Sequence, residues 1–468
     1  MASKGSSGES DGSFFPVFDP YRMEKVGEAP DLGFGEIDAS ISALSRPMGP
    51  IPFQAIREAL EDSARRIKKD ASEYAFLISR ESGLCLKDSR IELDRVFACL
   101  EECLRIISAR APETVHAFPK GSWRLLKEPF SLVFAITPFN HPLLQVCHKL
   151  LPALIVGAPI LVKPCEKTPL SALKFIGQLW DSGIPRERLQ IATTSRPAET
   201  AARIFDCEKL DAVAFTGSFA TGRMIAKTIA QSKNPMVRQI HELGGSSPLV
   251  VCADGDIGKA VEIALSAFRN SGQRCTTIRK IFIENRIAGS FLSEFIPAVR
   301  KLRVDDPLLE ATDIGTVIDS GAAENIEAAI VDATGKGAEV LTGGQRAGAQ
   351  IWPTVLLSPP ESARILTQEI FGPVLPVLLF EELDEVIRVV RRSNQYRLSG
   401  SIVTRSKDTA LALAKALEVG QFNHNAAPGF RLEGAPFGGY KHSGNGSKEG
   451  ILSASENFQR STTFYSHE

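Results

Sequence analysis

Residues 270–280 read NSGQRCTTIRK and set one cysteine, Cys275, in a polar, glycine-containing stretch with Arg274 beside it. Most of the other cysteines stand in apolar or helical runs, where a thiol packs and stays inert. The thiolate is the nucleophilic form of cysteine, so an open position next to a guanidinium makes Cys275 a candidate reactive thiol. HELGG at 241–245 closes an apolar run on Glu242. A carboxylate there is either tied up structurally or has a raised pKa suited to base work. ITPFNHP at 136–142 offers Asn140, whose amide can donate to a developing oxyanion. The plainer reading is a cap for the helix that follows. His241 reads as a packed neighbour, since no His/Cys cluster of metal type surrounds it, and no metal is expected.

Two more stretches suit a nucleotide. KPCEKTP at 163–169 directly follows the apolar run PILV. Ligands of open α/β sheets sit outside the carboxyl ends of strands, so Lys163 and Glu166 are placed to bond ribose hydroxyls; a solvated loop is the alternative. FTGSFATGR at 215–223 puts Gly217, Ser218 and Gly222 where a strand passes to a helix. Backbone N–H groups left free there can face a pyrophosphate, against the reading of an ordinary turn. No GxGxxG follows the first strand of the alternating region.

The elements that must position these residues follow from hydrophobic periodicity. The first segment reads as mostly helical. Residues 89–107 place Leu93, Val96, Phe97, Leu100, Leu104 and Ile107 on one helical face, and Ser89 with Glu92 resembles a capping box. KGSWRLLKEPFSLVFAI reads as extended. From residue 131, SLVFAI, PILVK, RLQIA, LDAVAFTG and MVRQIHEL are short apolar runs alternating with helical stretches. A second alternating series begins after Gly244. Both predict parallel sheets flanked by helices, an α/β chain of two doubly wound domains.

With 468 residues more than one core is expected. A net charge of −1 without a long basic block recommends neither nucleic acid nor an anionic membrane as partner, and no apolar run reaches the length of a membrane span. Eight cysteines without tight CxxC spacing argue for reduced thiols and a cytoplasmic protein. The N-terminal MASKGSSGESDGS reads as a flexible leader, native or added.

Taken in order, ITPFNHP, LVKPCEKTPLSA, FTGSFATG, HELGGSSP, NSGQRC, EIFGPV at 369–374 and PFGGYKHSGNG at 436–446 resemble the successive signatures of the aldehyde dehydrogenase superfamily. The chain departs from that pattern at IATTSRPAETAA, which lacks the glycines usual there. The resemblance implies a Rossmann-like cofactor domain at 1–119 and 135–243, a catalytic domain at 244–446, and a small β oligomerisation arm at 120–134 and 447–468 that pairs subunits into a homodimer or homotetramer. It makes Cys275 the nucleophile, Asn140 with the Cys275 N–H the oxyanion donors, and Glu242 the base that hydrolyses a thioester. Lys163 and Glu166 would hold the adenosine ribose and Glu369 the nicotinamide ribose. Phe371, Pro138, Leu243, Gly217, Ser218 and Gly222 would complete the cofactor site. NAD is expected because Glu166 repels a 2′-phosphate, with NADP as the alternative.

GQRC further resembles members that oxidise aldehydes bearing a phosphonyl or phosphoryl group. Arg274, His141, Arg431 and Arg95 match the residues that grip the anion in them. The expected substrate is therefore a small anionic aldehyde, phosphonoacetaldehyde or phosphonoformaldehyde. Glyceraldehyde-3-phosphate, lactaldehyde and succinate semialdehyde are the alternatives, and a redox-inactive, esterase-like or binding member is the rival class.

Overall fold

The computed structural model describes residues 13–46, 49, 51–109 and 114–467. Apart from Ser13, the expected leader lies outside the described residues. The chain opens on a hairpin, β1 (Phe14–Phe18) with β2 (Lys25–Pro30), before any helix. Then come α1 (Phe34–Leu44), α2 (Phe53–Lys69), α3 (Ala71–Ser82) and α4 (Leu86–Ser108). On α4 the apolar stripe packs as its periodicity predicts: Leu93, Val96 and Leu100 are buried, with Phe97, Leu104 and Ile107 against the same core. The capping box does not form. The helix begins ahead of Ser89, on Cys85, and the Ser89 N–H donates to the Cys85 carbonyl within the first turn. Glu92 is fully buried on a second, polar face, where other partners outcompete a local cap.

Strands β3 (Val115–Phe118) and β4 (Gly121–Pro129) lead into the first sheet. That sheet comprises β5 (Val133–Ile136), β6 (Ile160–Lys163), β7 (Leu189–Ile191), β8 (Ala212–Thr216) and β9 (Arg238–Glu242). Between them run α5 (Leu144–Val156), α6 (Leu170–Asp181), α7 (Pro197–Phe205) and α8 (Phe219–Gln231). All pairings are parallel and the order is β7-β6-β5-β8-β9. Side chains alternate between two covered faces. Val133, Ala135, Ile160 and Val162 join the core beneath α4, α5 and α6, while Phe134, Ile136, Leu161 and Val213 join that of α1, α7 and α8. The order reverses between β5 and β8, so the segments carrying Asn140 and Ser218 leave the sheet at its switch point.

The second half begins with β10 (Ser247–Val251), α9 (Ile257–Leu265), a tight turn at Ser266–Gly272 and β11 (Ile278–Glu284). It continues through α10 (Ala288–Arg300), α11 (Ser320–Gly335), β12 (Glu339–Thr342), the short hairpin of β13 (Arg346–Ala347) and β14 (Gln350–Ile351), and β15 (Thr354–Leu357). Next are α12 (Arg364–Thr367), β16 (Val374–Phe380), α13 (Leu383–Ser393), β17 (Tyr396–Arg397) and β18 (Ser399–Val403). The last elements are α14 (Lys407–Leu417), β19 (Gln421–His424), β20 (Tyr440–Lys441), α15 (Ile451–Asn457) and β21 (Gln459–His467). The second sheet runs β12-β15-β16-β11-β10-β18-β19, parallel except for β12. The architecture is thus α/β, with a parallel and a mixed sheet.

The terminal strand β21 pairs antiparallel with the whole of β4, from Gln459 against Pro129 to His467 against Gly121. With β3 they form a separate three-stranded sheet. Among the described residues no helix is long and apolar enough to cross a membrane.

Candidate active site

Cys275 sits between the tight turn and β11, in a loop shaped from several sides. Asn270 and Ser271 adopt left-handed backbone at φ 53° and 51°, and the Asn270 N–H donates to Asp88 Oδ2 of α4 at 2.7 Å. Gly272, at φ +71°, lies so close to EIFGPV that a Cβ would fall 2.1 Å from the Gly372 carbonyl. From HELGG, Gly245 meets the loop directly: a Cβ there would stand 2.0 Å from the Cys275 carbonyl oxygen. Only glycine permits this approach of β10's leading edge to the backbone of Cys275. The Asn140 amide donates to the Gln273 carbonyl at 2.7 Å. It therefore does not cap α5; it faces the loop of Cys275 with its second N–H still to give.

Glu242 ends β9, buried, and neither carboxyl oxygen has a hydrogen-bond partner among the described residues. Burial, then the nearby Glu449, hold its pKa well above the ordinary carboxyl value. Burial raises Glu449 too, but Lys149, His148 and Arg431 together outweigh it and the Glu449 carboxyl lies below its usual range. Lys149 Nζ donates to Glu449 Oε1 at 2.7 Å and to Thr216 Oγ1 at 2.5 Å. The lysine and Glu449 form the ion pair, and burial beside that pair favours the protonated form of Glu242. The half-buried Cys275 thiol is pushed up to about 12, by burial first and Glu242 second, while Arg431 pulls it down. Arg274 does not act on the thiol as a close counter-charge, because its side chain turns away and Nη2 donates to the Ser266 carbonyl at 3.1 Å. All eight cysteines are free thiols.

The four residues expected to grip an anion fall into two groups linked through α4. Arg95 donates from Nε to Glu433 Oε1 at 2.7 Å, and Arg431 Nη2 lies 3.8 Å from Glu433 Oε2. His148 Nε2 meets the same carboxylate at 2.8 Å. Burial would raise Glu433, yet His148 and the two guanidiniums hold its carboxyl far below its usual range. Burial and Arg431 lower His148 to about 4, so the imidazole is neutral near pH 7. Arg431 also packs 4.0 Å over the Phe437 ring, and its Nη1 is buried without a hydrogen-bond partner among the described residues. Arg274 is lowered to about 10 by burial, which Asp88 opposes and Arg269 and Arg95 reinforce; its Nε is likewise buried without a partner among the described residues. His141 Nδ1 lies 3.2 Å from Glu92 Oε2. Cys99, His148 and Glu433 bring ligand atoms within 4.8 Å of one another, but two guanidiniums already neutralise that carboxylate, which disfavours a cation there.

The chain matches the family model described as the aldehyde dehydrogenase family over residues 7–464. It is 35% identical to the 3-sulfolactaldehyde dehydrogenase of Priestia aryabhattai over 84% of this chain and 82% of that protein. The chain belongs to the aldehyde dehydrogenase family. The lactaldehyde dehydrogenase of Methanococcus aeolicus is 32% identical over 93% of each. Among solved structures, glyceraldehyde-3-phosphate dehydrogenase GapN from Methanocaldococcus jannaschii, complexed with NADP, superposes with a TM-score of 0.91 at 28% identity, covering 98% of this chain and all of that one. The protein is an NAD(P)-dependent aldehyde dehydrogenase.

The donor set of this aldehyde dehydrogenase fits such a cofactor. At the carboxyl end of β6, Lys163 Nζ stands 3.7 Å from Glu166 Oε2. Ser218 Oγ caps α8 by accepting the Thr221 N–H at 3.1 Å. Gly217 donates its N–H to the Glu242 carbonyl, and Gly222 lets α8 close on Leu243, where a Cβ would meet that side chain at 2.7 Å. Glu369 accepts the Gly245 N–H at 2.9 Å, and Gly244 leaves room for its second oxygen. Phe371 lies edge-on to Phe139, next to Pro138, with Arg279 5.2 Å from its ring centre. PFGGYKHSGNG braces HELGG through the Leu243 N–H to the Ser443 carbonyl and a bridge between Glu242 and Gly444.

Sequence reasoning missed Asp88, Glu92, Lys149, Glu433 and Glu449. Lys149 did carry a signal, one ammonium within the apolar run LQVCHKLLPALIV, since buried lysines are rare without a partner. Glu433 and Glu449 stand in glycine-rich stretches with no periodicity to mark their burial.

Proposed function

We propose that the chain oxidises a short aldehyde with a phosphonate, phosphate or sulfonate tail to the carboxylic acid. The carrying observation is that Arg274 Nε and Arg431 Nη1 are both buried guanidinium nitrogens with no hydrogen-bond acceptor among the described residues. Buried donors are normally satisfied, and a tetrahedral oxyanion matches guanidinium forks. Two guanidiniums share the single carboxylate of Glu433, which leaves net positive charge for a ligand. The likeness to a 3-sulfolactaldehyde dehydrogenase supports an anionic tail. Phosphonoacetaldehyde and phosphonoformaldehyde remain the preferred phosphorus substrates.

In this reading the Cys275 thiol gives its proton to solvent water, and the thiolate adds to the carbonyl carbon. The oxyanion is held by the Asn140 amide and the Cys275 N–H, each such donor contributing roughly 3–4 kcal/mol. When bound, NAD(P) supplies the acceptor for the hydride that leaves the tetrahedral carbon. The thioester left on Cys275 is hydrolysed by water that gives its proton to Glu242. Glu242 must first be emptied, its proton passing to solvent water, and the Lys149 ammonium nearby favours the resulting carboxylate. Lys163 and Glu166 hold the adenosine ribose, Glu369 the nicotinamide ribose, and the carboxylate of Glu166 disfavours a 2′-phosphate, so NAD is the preferred form. The β21–β4–β3 sheet has unpaired outer edges suited to a second copy of the chain.

The test is an aldehyde panel read by the absorbance of reduced cofactor. Arg274→Ala and Arg431→Ala should raise KM for phosphonoacetaldehyde and sulfoacetaldehyde about 10- to 100-fold, the loss of one hydrogen bond to a charged group. KM for propanal should barely move. Equal losses on all three aldehydes would overturn the anion pocket, and no reduced cofactor with any aldehyde would favour a redox-inactive member.

A further inference from the structure

We infer that Glu92 is a positioning residue for Asn140. Its carboxylate, fully buried on α4, reaches a different part of the chain from the one its sequence position suggests. Oε1 accepts the N–H groups of both Leu143 and Leu144, each at 2.9 Å. Oε2 faces His141 Nδ1 at 3.2 Å, so that nitrogen carries a proton toward the carboxylate. Three donors from a four-residue segment thus converge on one side chain.

That segment is the hinge on which Asn140 hangs. α5 has no cap of its own: Leu143 at its N-cap has no side-chain acceptor, and Asn140 has turned away toward Gln273. The first N–H groups of a helix need partners when buried; here those of Leu143 and Leu144 find theirs on α4, while the Gln145 N–H donates to the His141 carbonyl at 3.1 Å. Glu81 on α3 does the same for α6, accepting the N–H groups of Leu170 and Ser171. The Glu92 case differs in that the capped turn follows Asn140 by three residues. Shortening or removing this acceptor lets the first turn of α5 rotate, and with it the amide whose second N–H must point at the oxyanion. Shifting a catalytic group by about 1 Å costs roughly 100-fold in rate. This rests on the reading of Asn140 as an oxyanion donor.

Reach and charge can be separated by two conservative changes. Glu92→Gln keeps an oxygen at full length and can donate its amide to His141 Nδ1, so kcat on a neutral aldehyde such as propanal should stay within about threefold of the parent. Glu92→Asp keeps the charge but withdraws it by one methylene; kcat should fall about 30- to 100-fold with little change in the KM for cofactor. A double-mutant cycle then assigns the loss. In an Asn140→Ala background, itself down roughly 100- to 1000-fold, Glu92→Asp should cost less than threefold more, because there is no amide left to misplace. The inference is overturned if Glu92→Asp costs as much in that background as in the parent, or if Glu92→Gln loses as much as Glu92→Asp. If Asn140→Ala alone leaves kcat unchanged, it is instead the oxyanion reading that fails.

Discussion

Replacing Lys149 by Met removes the ammonium from between Glu449 and Thr216 while keeping the length of the side chain. Lys149 and Glu449 are almost wholly buried, at 1% and 4% side-chain exposure, so little solvent screens them. Unit charges about 4 Å apart interact by about 4 kcal/mol at an effective dielectric near 20. Breaking a buried pair by deleting one partner costs roughly 3–5 kcal/mol, because the other charge is stranded. Urea unfolding of Lys149→Met should show a loss of that size, and adding Glu449→Gln should restore most of it. The pH–rate profile gives a second reading. Glu242 is held above the carboxyl range by burial and Glu449 and is pulled down by Lys149. As the proposed base it acts only when deprotonated, so the parent's rate should climb as pH rises through the Glu242 pKa. Without the ammonium that limb should move to higher pH by about one unit, equivalent to about 1.4 kcal/mol, and Glu449→Gln alone should move it lower. An unchanged unfolding midpoint together with an unchanged limb would refute the argument.

Two other outcomes follow from the geometry. Glu242→Gln should release one equivalent of reduced cofactor and then stall, with steady-state turnover down about 10²- to 10⁴-fold and an acyl group detectable on Cys275 by intact mass. A first turnover slowed as much as the later ones would remove Glu242 from the hydrolytic step. Gly245→Ala forces a Cβ against the Cys275 carbonyl and should abolish most activity. Gly289→Ala, which meets nothing within 4 Å on helix α10, should leave activity intact; equal effects of the two would show that the approach at Gly245 is not needed.

Much of the frame was legible because parallel strands buried on both faces leave unbroken apolar runs: VFAI, ILVK and AVAFT are fully buried and stand at the centre of their sheet. Glu242 and Asn140 could be singled out because each is polar where an apolar run ends, and Cys275 because it stands in a polar, glycine-containing stretch beside an arginine. What the pattern could not reveal was long-range pairing. Ser89 and Glu92 have the spacing of a local cap, but spacing says nothing of a helix 50 residues away that offers uncapped N–H groups. Likewise Arg274 adjoins Cys275 in sequence, yet adjacent side chains in a loop diverge, and its hydrogen bond goes to Ser266. Glu433, which organises Arg95, Arg431 and His148, had no local signature at all.

Asp88, Glu92 and Arg95 lie along one rigid rod, and each grasps a different loop: that of Cys275, that of Asn140 and that of Arg431. A helix advances about 1.5 Å per residue, so the outer two anchor points stand about 10 Å apart whatever residues the loops contain. In the proposed reading, α4 therefore acts as a ruler for the aldehyde. Point changes in the loops alter which tail is welcomed, whereas accommodating a longer molecule requires inserting residues into the rod between Asp88 and Arg95.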